Sequence, residues 1–138
     1  MKPNNSLDKA ALIIVIICAV LCVAYFPFLS DIIAIQWSGC DVSNKANKLL
    51  IFVLPLLSFG LYLARTTLVS VFLAKRGVLH KKEILISYIT LLLEILLLSG
   101  VVSIILFDAG IPLAVGPIII LEIIIGALLG FIIIRENP

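Results

Sequence analysis

Charge is what this chain has least of. Asp, Glu, Lys and Arg make up 13% of its 138 residues, and it holds one His, one Trp and one Met. The single His80 stands beside Lys81 and Lys82, which reads as a solvated link residue, and no base, nucleophile or metal-ligand cluster accompanies it. A phosphate-cradling glycine loop is also missing, so neither an enzyme nor a bound cofactor or metal is expected. Cysteine is scarce too, with three in all. Cys18 and Cys22 lie one helical turn apart in an apolar run and Cys40 is alone, so packing is the better reading than redox or metal chemistry. The net charge of +2 is too small to suggest a nucleic-acid partner.

What remains is apolar. The chain is 63% hydrophobic, with a mean hydropathy of +1.32, and too few polar residues are left to cover a soluble core. Four runs, residues 10–29, 49–74, 84–107 and 113–134, are near or above the ~20 residues that cross a ~30 Å hydrocarbon layer as a helix. They lack the alternation of barrel strands, and backbone groups in lipid must be satisfied internally. The expected fold is therefore an all-α integral membrane protein, a four-helix transmembrane bundle forming one domain over residues 1–138. Lys2 and Lys9 precede the first run, Lys75, Arg76, Lys81 and Lys82 crowd the link between the second and third, and Arg135 follows the fourth. Only Lys45 and Lys48 lie in the interval 30–48, so both termini are expected in the cytoplasm and that interval outside. The first run is longer than a signal-peptide core and no cleavage site follows, so it reads as a retained helix. The basic link can touch anionic lipid headgroups. No internal repeat relates the two halves.

The tight turn Asp108–Pro112 suits Gly110 and Pro112. In the last run Gly126 and Gly130 form a G-x-x-x-G pair, which permits close helix approach, either within the chain or in a homo-oligomer.

Arg65, Glu94 and Glu122 interrupt the apolar runs, where ionisable groups are costly and usually face the bundle interior. Arg65 is ten residues before Lys75, and Glu94 is twelve after Lys82, which puts them at nearly the same depth. Glu122 falls within about 6 Å of Glu94 in depth by the same reckoning. All three are expected to be able to meet. Ser58, Tyr62 and Arg65 share one helical face, as do Ser87, Thr90 and Glu94. Arg65 can pair with a carboxylate and fix helix register, or it can snorkel to the interface; alternatively, the surplus acid can take a proton or cation and serve coupling.

The polar interval "LSDIIAIQWSGCDVSNK" is the remaining feature. Trp37 suits the headgroup level, as an interfacial anchor. The register also resembles L-P-D-x-I-P-x-H-W-N, followed by Gly, Asp and Lys and then a helix with L-P-L. That pattern marks a bacterial membrane domain best known from the N-terminal part of SdpI-type immunity proteins. Leu29, Asp31, Ile33, Ile35 and Trp37 match, Gly39, Asp41 and Lys45 follow at shortened spacing, and "FVLPLLSFGLYL" resembles the next helix. The likeness covers about Pro27 to Arg65. Ser30 and Ala34 stand for Pro, Gln36 for His, and Ser38 for Asn. Without that His the interval has no group suited to titrate near neutrality or to bind a transition metal. SdpI-type proteins carry a further membrane domain, so a minimal version is expected here.

The resemblance implies a non-enzymatic protein of the bacterial cytoplasmic membrane that protects against a secreted membrane-active peptide. Asp31, Gln36, Trp37, Asp41 and Lys45 are then the ligand-binding candidates. The alternatives are a small proton- or cation-coupled transporter working through Glu94 and Glu122, and an accessory subunit that binds another membrane protein.

Overall fold

The structure, a computed structural model, describes residues 5–38, 41–68, 80–111 and 114–136. Helix α1 runs over Asn5–Tyr25 and passes into a 3-10 turn at Phe26–Phe28. Pro27, which has no N–H to continue the helical ladder, sits at the start of that turn, and Leu29 leaves it in an extended conformation. A second 3-10 turn, Lys48–Phe52, leads into α2, Val53–Thr67. Asn47 caps the entry to that 3-10 turn by accepting from the Leu49 N–H at 2.9 Å. Pro55 falls in the first turn of α2, where a missing N–H costs nothing. Helix α3 spans His80–Asp108 and α4 spans Val115–Glu136. The expected link residue His80 thus opens α3, while Lys75, Arg76 and Gly77 lie outside the described residues, as does the part of the 49–74 run beyond Leu68.

At the end of α3, Gly110 adopts φ +86°. Its N–H bonds to the Phe107 carbonyl at 3.0 Å, and the Ile111 N–H bonds to the Leu106 carbonyl at 3.1 Å. These are the paired bonds of a Schellman stop, and a residue with a Cβ would be strained at Gly110. Pro112, expected in the same turn, lies outside the described residues.

Four helices are long and apolar enough to cross a membrane, over Ser6–Phe28, Lys48–Thr67, Glu83–Asp108 and Val115–Glu136. Their outward faces expose Ile13, Val20, Leu56, Ile120 and Phe131. Such a coat suits lipid, and the architecture is compatible with a multi-pass membrane protein. Consecutive helices run antiparallel, so the start of α1 and the end of α4 lie at one end of the bundle. Helix α3 is the hub, packed against α1, α2 and α4. Helix α4 is peripheral, with only 11% of its span buried.

The all-α expectation is corrected in one place. The interval 30–48 is an antiparallel hairpin, β1 over Ile32–Ser38 and β2 over Asp41–Asn47. Its register pairs Ile32 with Asn47, Ala34 with Lys45 and Ser38 with Asp41, with irregularities on either side of Gln36. The run "IIAIQW" has the β-branched and aromatic content of a strand, while "DVSNKAN" has little β-propensity and becomes a strand through pairing. Gly39 and Cys40 lie outside the described residues. Leu29 and Ile33 sink into one apolar cluster with Cys18, Cys22, Ile51, Val101, Ile104 and Ile105. That cluster is the packed core, and it fills the hairpin end of the bundle.

Candidate functional site

Away from that cluster, the interface of α1, α2 and α3 turns polar. Arg65, late in α2, is 6% exposed. Its Nη2 lies 2.5 Å from Asp8 Oδ1 of α1, and its Nε and Nη2 donate to Ser87 Oγ of α3 at 3.2 and 2.7 Å. One guanidinium thereby ties three helices together. Its planar, multi-donor fork suits that task better than a point charge would. The partner of Arg65 is therefore Asp8 and not Glu94: Arg65 lies level with Ser87, seven residues or about 10 Å short of Glu94, so the expected equal depth of the two does not hold. Asp8 precedes the apolar run and shows no periodic signal, but α1 begins already at Asn5 and carries it to the level of Arg65.

Glu94 lies deeper and is fully buried. The Ser58 hydroxyl of α2 donates to Glu94 Oε2, while Glu94 Oε1 is enclosed with no hydrogen-bond partner. Glu83, Ser87, Thr90 and Glu94 follow one another at steps of four, three and four residues, and all are buried. That spacing lays them along a single face of α3 for roughly 16 Å. Glu83 Oε1 is likewise enclosed and unpartnered. Thr90 satisfies its hydroxyl locally, donating to the Ile86 carbonyl at 2.9 Å. Tyr62 is half-buried at the margin of the seam, and its carbonyl accepts from Thr66 Oγ1 at 3.0 Å. Beyond Glu94 the seam ends. Val101, Ile104 and Ile105 continue the same side of α3 into the apolar cluster, and Cys22 Sγ donates to the Ile51 carbonyl at 3.7 Å. The polar track thus reaches Glu94 from the end that carries the start of α1 and is plugged on the hairpin side.

Glu122 does not join Arg65 and Glu94. It lines a cleft between α3 and α4 beside Leu91, Leu92 and Ile95. Equal depth fixes height along a helix but not direction around it, and α3 turns different faces to α2 and α4. The other expectation for α4, close approach at Gly126 and Gly130, takes place within the chain. A Cβ at Gly130 would fall 2.7 Å from Tyr88 Cε1, and one at Gly126 would run into Leu92. Tyr88 Oη donates to the Gly126 carbonyl at 2.5 Å. Both glycines are buried against Tyr88 and Leu92 of α3.

The hairpin is fixed to the opposite end by several contacts. The Trp37 ring meets Phe107 edge-on, with centroids 5.8 Å apart. The Ser30 N–H donates to Asp108 Oδ2 at 2.9 Å, and the Lys48 N–H donates to the Asp31 carbonyl at 2.9 Å. Lys48 Nζ also lies 3.4 Å from Asp31 Oδ1 and 4.9 Å from the Phe26 centroid. Of the five loop candidates, Trp37 faces the bundle, with its indole N–H enclosed and unpartnered. Asp31 is exposed and pairs with Lys48, and Gln36, Asp41 and Lys45 are exposed. The arrangement therefore divides the set into an anchor, Trp37, and an outward polar group.

Asp8, Glu83 and Asp108 are the residues that sequence reasoning missed. Glu83 was the most accessible of them, since it stands one helical turn before Ser87 on the stripe already visible in α3. Among the described residues, no three His, Cys, Asp or Glu side chains converge as metal ligands would. Comparison with known proteins finds no match for this chain, whether among protein-family models, curated proteins or solved structures.

Proposed function

We propose that this chain is a non-enzymatic protein of the bacterial cytoplasmic membrane that confers immunity to a membrane-active peptide, with both termini in the cytoplasm and the hairpin outside. The observation that carries this reading is the anchored hairpin. A merely solvated loop needs no aromatic wedge on Phe107 and no hydrogen bond from Ser30 to Asp108, whereas a recognition surface gains from being held in one conformation before its ligand arrives. The likeness of Leu29 to Lys45 to SdpI-type proteins and the placement of the basic residues support the same reading. Among the described residues no third strand covers the outer edge of β2, so an extended peptide can lie beside it, flanked by Asp41 and Lys45 of opposite sign. The test is a killing assay against a panel of membrane-active peptides. Expression of the chain should protect cells, and the combined change Gln36→Ala, Asp41→Ala and Lys45→Ala should abolish protection at an unchanged membrane level. Protection that survives the triple change would remove the hairpin from the mechanism.

A second reading, proton- or cation-coupled transport, is favoured by Glu94 Oε1 and Glu122 Oε2, which are enclosed at membrane depth with no hydrogen-bond partner. The apolar plug over Glu94 weighs against a continuous path. Gradient-dependent flux in proteoliposomes, lost in Glu94→Gln, would favour this reading over the first.

A further inference from the structure

The cleft between α3 and α4 has a volume of about 310 Å³, and Ile95, Ile125 and Leu129 of its lining are exposed apolar residues of the bundle surface. Its walls are Leu91, Leu92 and Ile95 of α3 and Ile125 and Leu129 of α4, with Glu122 set among them as the one carboxyl group. The Tyr88 hydroxyl beside it already donates to the Gly126 carbonyl. Glu122 Oε2 is enclosed and has no hydrogen-bond partner. Among the described residues the ion pairs are Asp31 with Lys48 and Asp8 with Arg65, so no side-chain cation answers Glu122.

We propose that this cleft is a binding site for a lipophilic organic monocation, with its charge against Glu122 and its apolar body against the Leu and Ile walls. Two features of the site select that class. An inorganic cation stripped of water needs several oxygen ligands, and the cleft supplies one carboxylate among aliphatic side chains. Glu122 also lies seven residues into α4, about 10 Å along the helix from Val115, below the level that a lipid headgroup occupies. A cation that carries its own apolar shell meets both conditions, since it enters from the hydrocarbon layer and brings a positive charge to a carboxyl group that no side-chain cation answers among the described residues. The volume sits at the small end of the ~300–1,000 Å³ usual for ligand pockets, and because the cleft is open on one side an ion with several apolar groups can fill it. The site faces away from the seam and from the hairpin, so it does not depend on the immunity reading.

Tetraphenylphosphonium and tetraphenylborate, ions of one shape and opposite charge, provide the test. Binding of each to the full chain in phosphatidylcholine nanodiscs is measured by equilibrium dialysis against empty nanodiscs. The expected result is saturable binding of the cation, stronger than that of the anion by about tenfold or more. Glu122→Gln should lose cation binding by a similar factor, Glu122→Asp should retain it, and Ile125→Trp, which fills the cleft and keeps the carboxyl group, should lose it. Equal affinity for the two ions, or undiminished cation binding in Glu122→Gln, overturns the proposal. Should Glu122→Gln fail to fold, the comparison of the two ions on the unaltered chain decides alone.

Discussion

Replacing Arg65 by Ala tests the seam most directly. The guanidinium contacts Asp8 Oδ1 at 2.5 Å and Ser87 Oγ at 2.7 and 3.2 Å, and Asp8 Oδ2 already has no hydrogen-bond partner. The Asp8 and Arg65 side chains are 12% and 5% exposed, so solvent screens the pair little. Removing Arg65 leaves a carboxylate with neither oxygen answered, a change that costs about 3–5 kcal/mol for a buried pair. Asp8→Ala strands the guanidinium on Ser87 alone and should cost a similar amount. The double change Asp8→Ala with Arg65→Ala removes both charges and leaves one serine hydroxyl to be satisfied, worth about 1–3 kcal/mol. The double variant should therefore be more stable than either single variant, by roughly 2 kcal/mol. Unfolding in mixed detergent micelles, followed by far-ultraviolet circular dichroism on all four proteins, measures the coupling. Additive losses at Asp8 and Arg65 would refute the pairing. A coupling found instead between Arg65 and Glu94 would refute the placement of α1 against α2.

Gly130→Leu should separate α4 from α3, because even a Cβ at that position falls 2.7 Å from Tyr88 Cε1; a cross-link between cysteines placed at Leu92 and Ile125 should then form less readily than in the parent chain. Phe107→Ala removes the ring under Trp37, an aromatic contact worth about 0.5–1.5 kcal/mol beyond its buried area, and should red-shift the fluorescence of this single tryptophan as the hairpin loosens. An unchanged spectrum would show that the indole is held by something else. Ser58→Ala leaves Glu94 without its hydrogen bond and should destabilise the bundle by about 1–3 kcal/mol in the same unfolding assay, independently of Arg65. A reporter fused at Pro138 or inserted near Gly77 should report cytoplasm, and one near Ser43 the exterior, and an exterior signal at Gly77 would invert the topology.

The sequence by itself determined the features that depend on neighbours along the chain. The apolar runs gave the spans, because crossing hydrocarbon is a matter of length and side-chain polarity that no distant contact alters. Gly110 marked the end of α3, since a positive φ is a local demand, and the spacing of Ser87, Thr90 and Glu94 placed them on one face. The tertiary structure alone decided which faces meet. Depth arguments put Arg65, Glu94 and Glu122 at one level, but the register of α2 against α3 sets Arg65 opposite Ser87 and Ser58 opposite Glu94, about 10 Å farther along, while helix rotation turns Glu122 to the cleft beside α4. The hairpin escaped sequence reading for a similar reason. Strand β2 has little intrinsic β-propensity, and its form comes from hydrogen bonds to β1, whose Ile33 is held in a core built from residues far away in sequence.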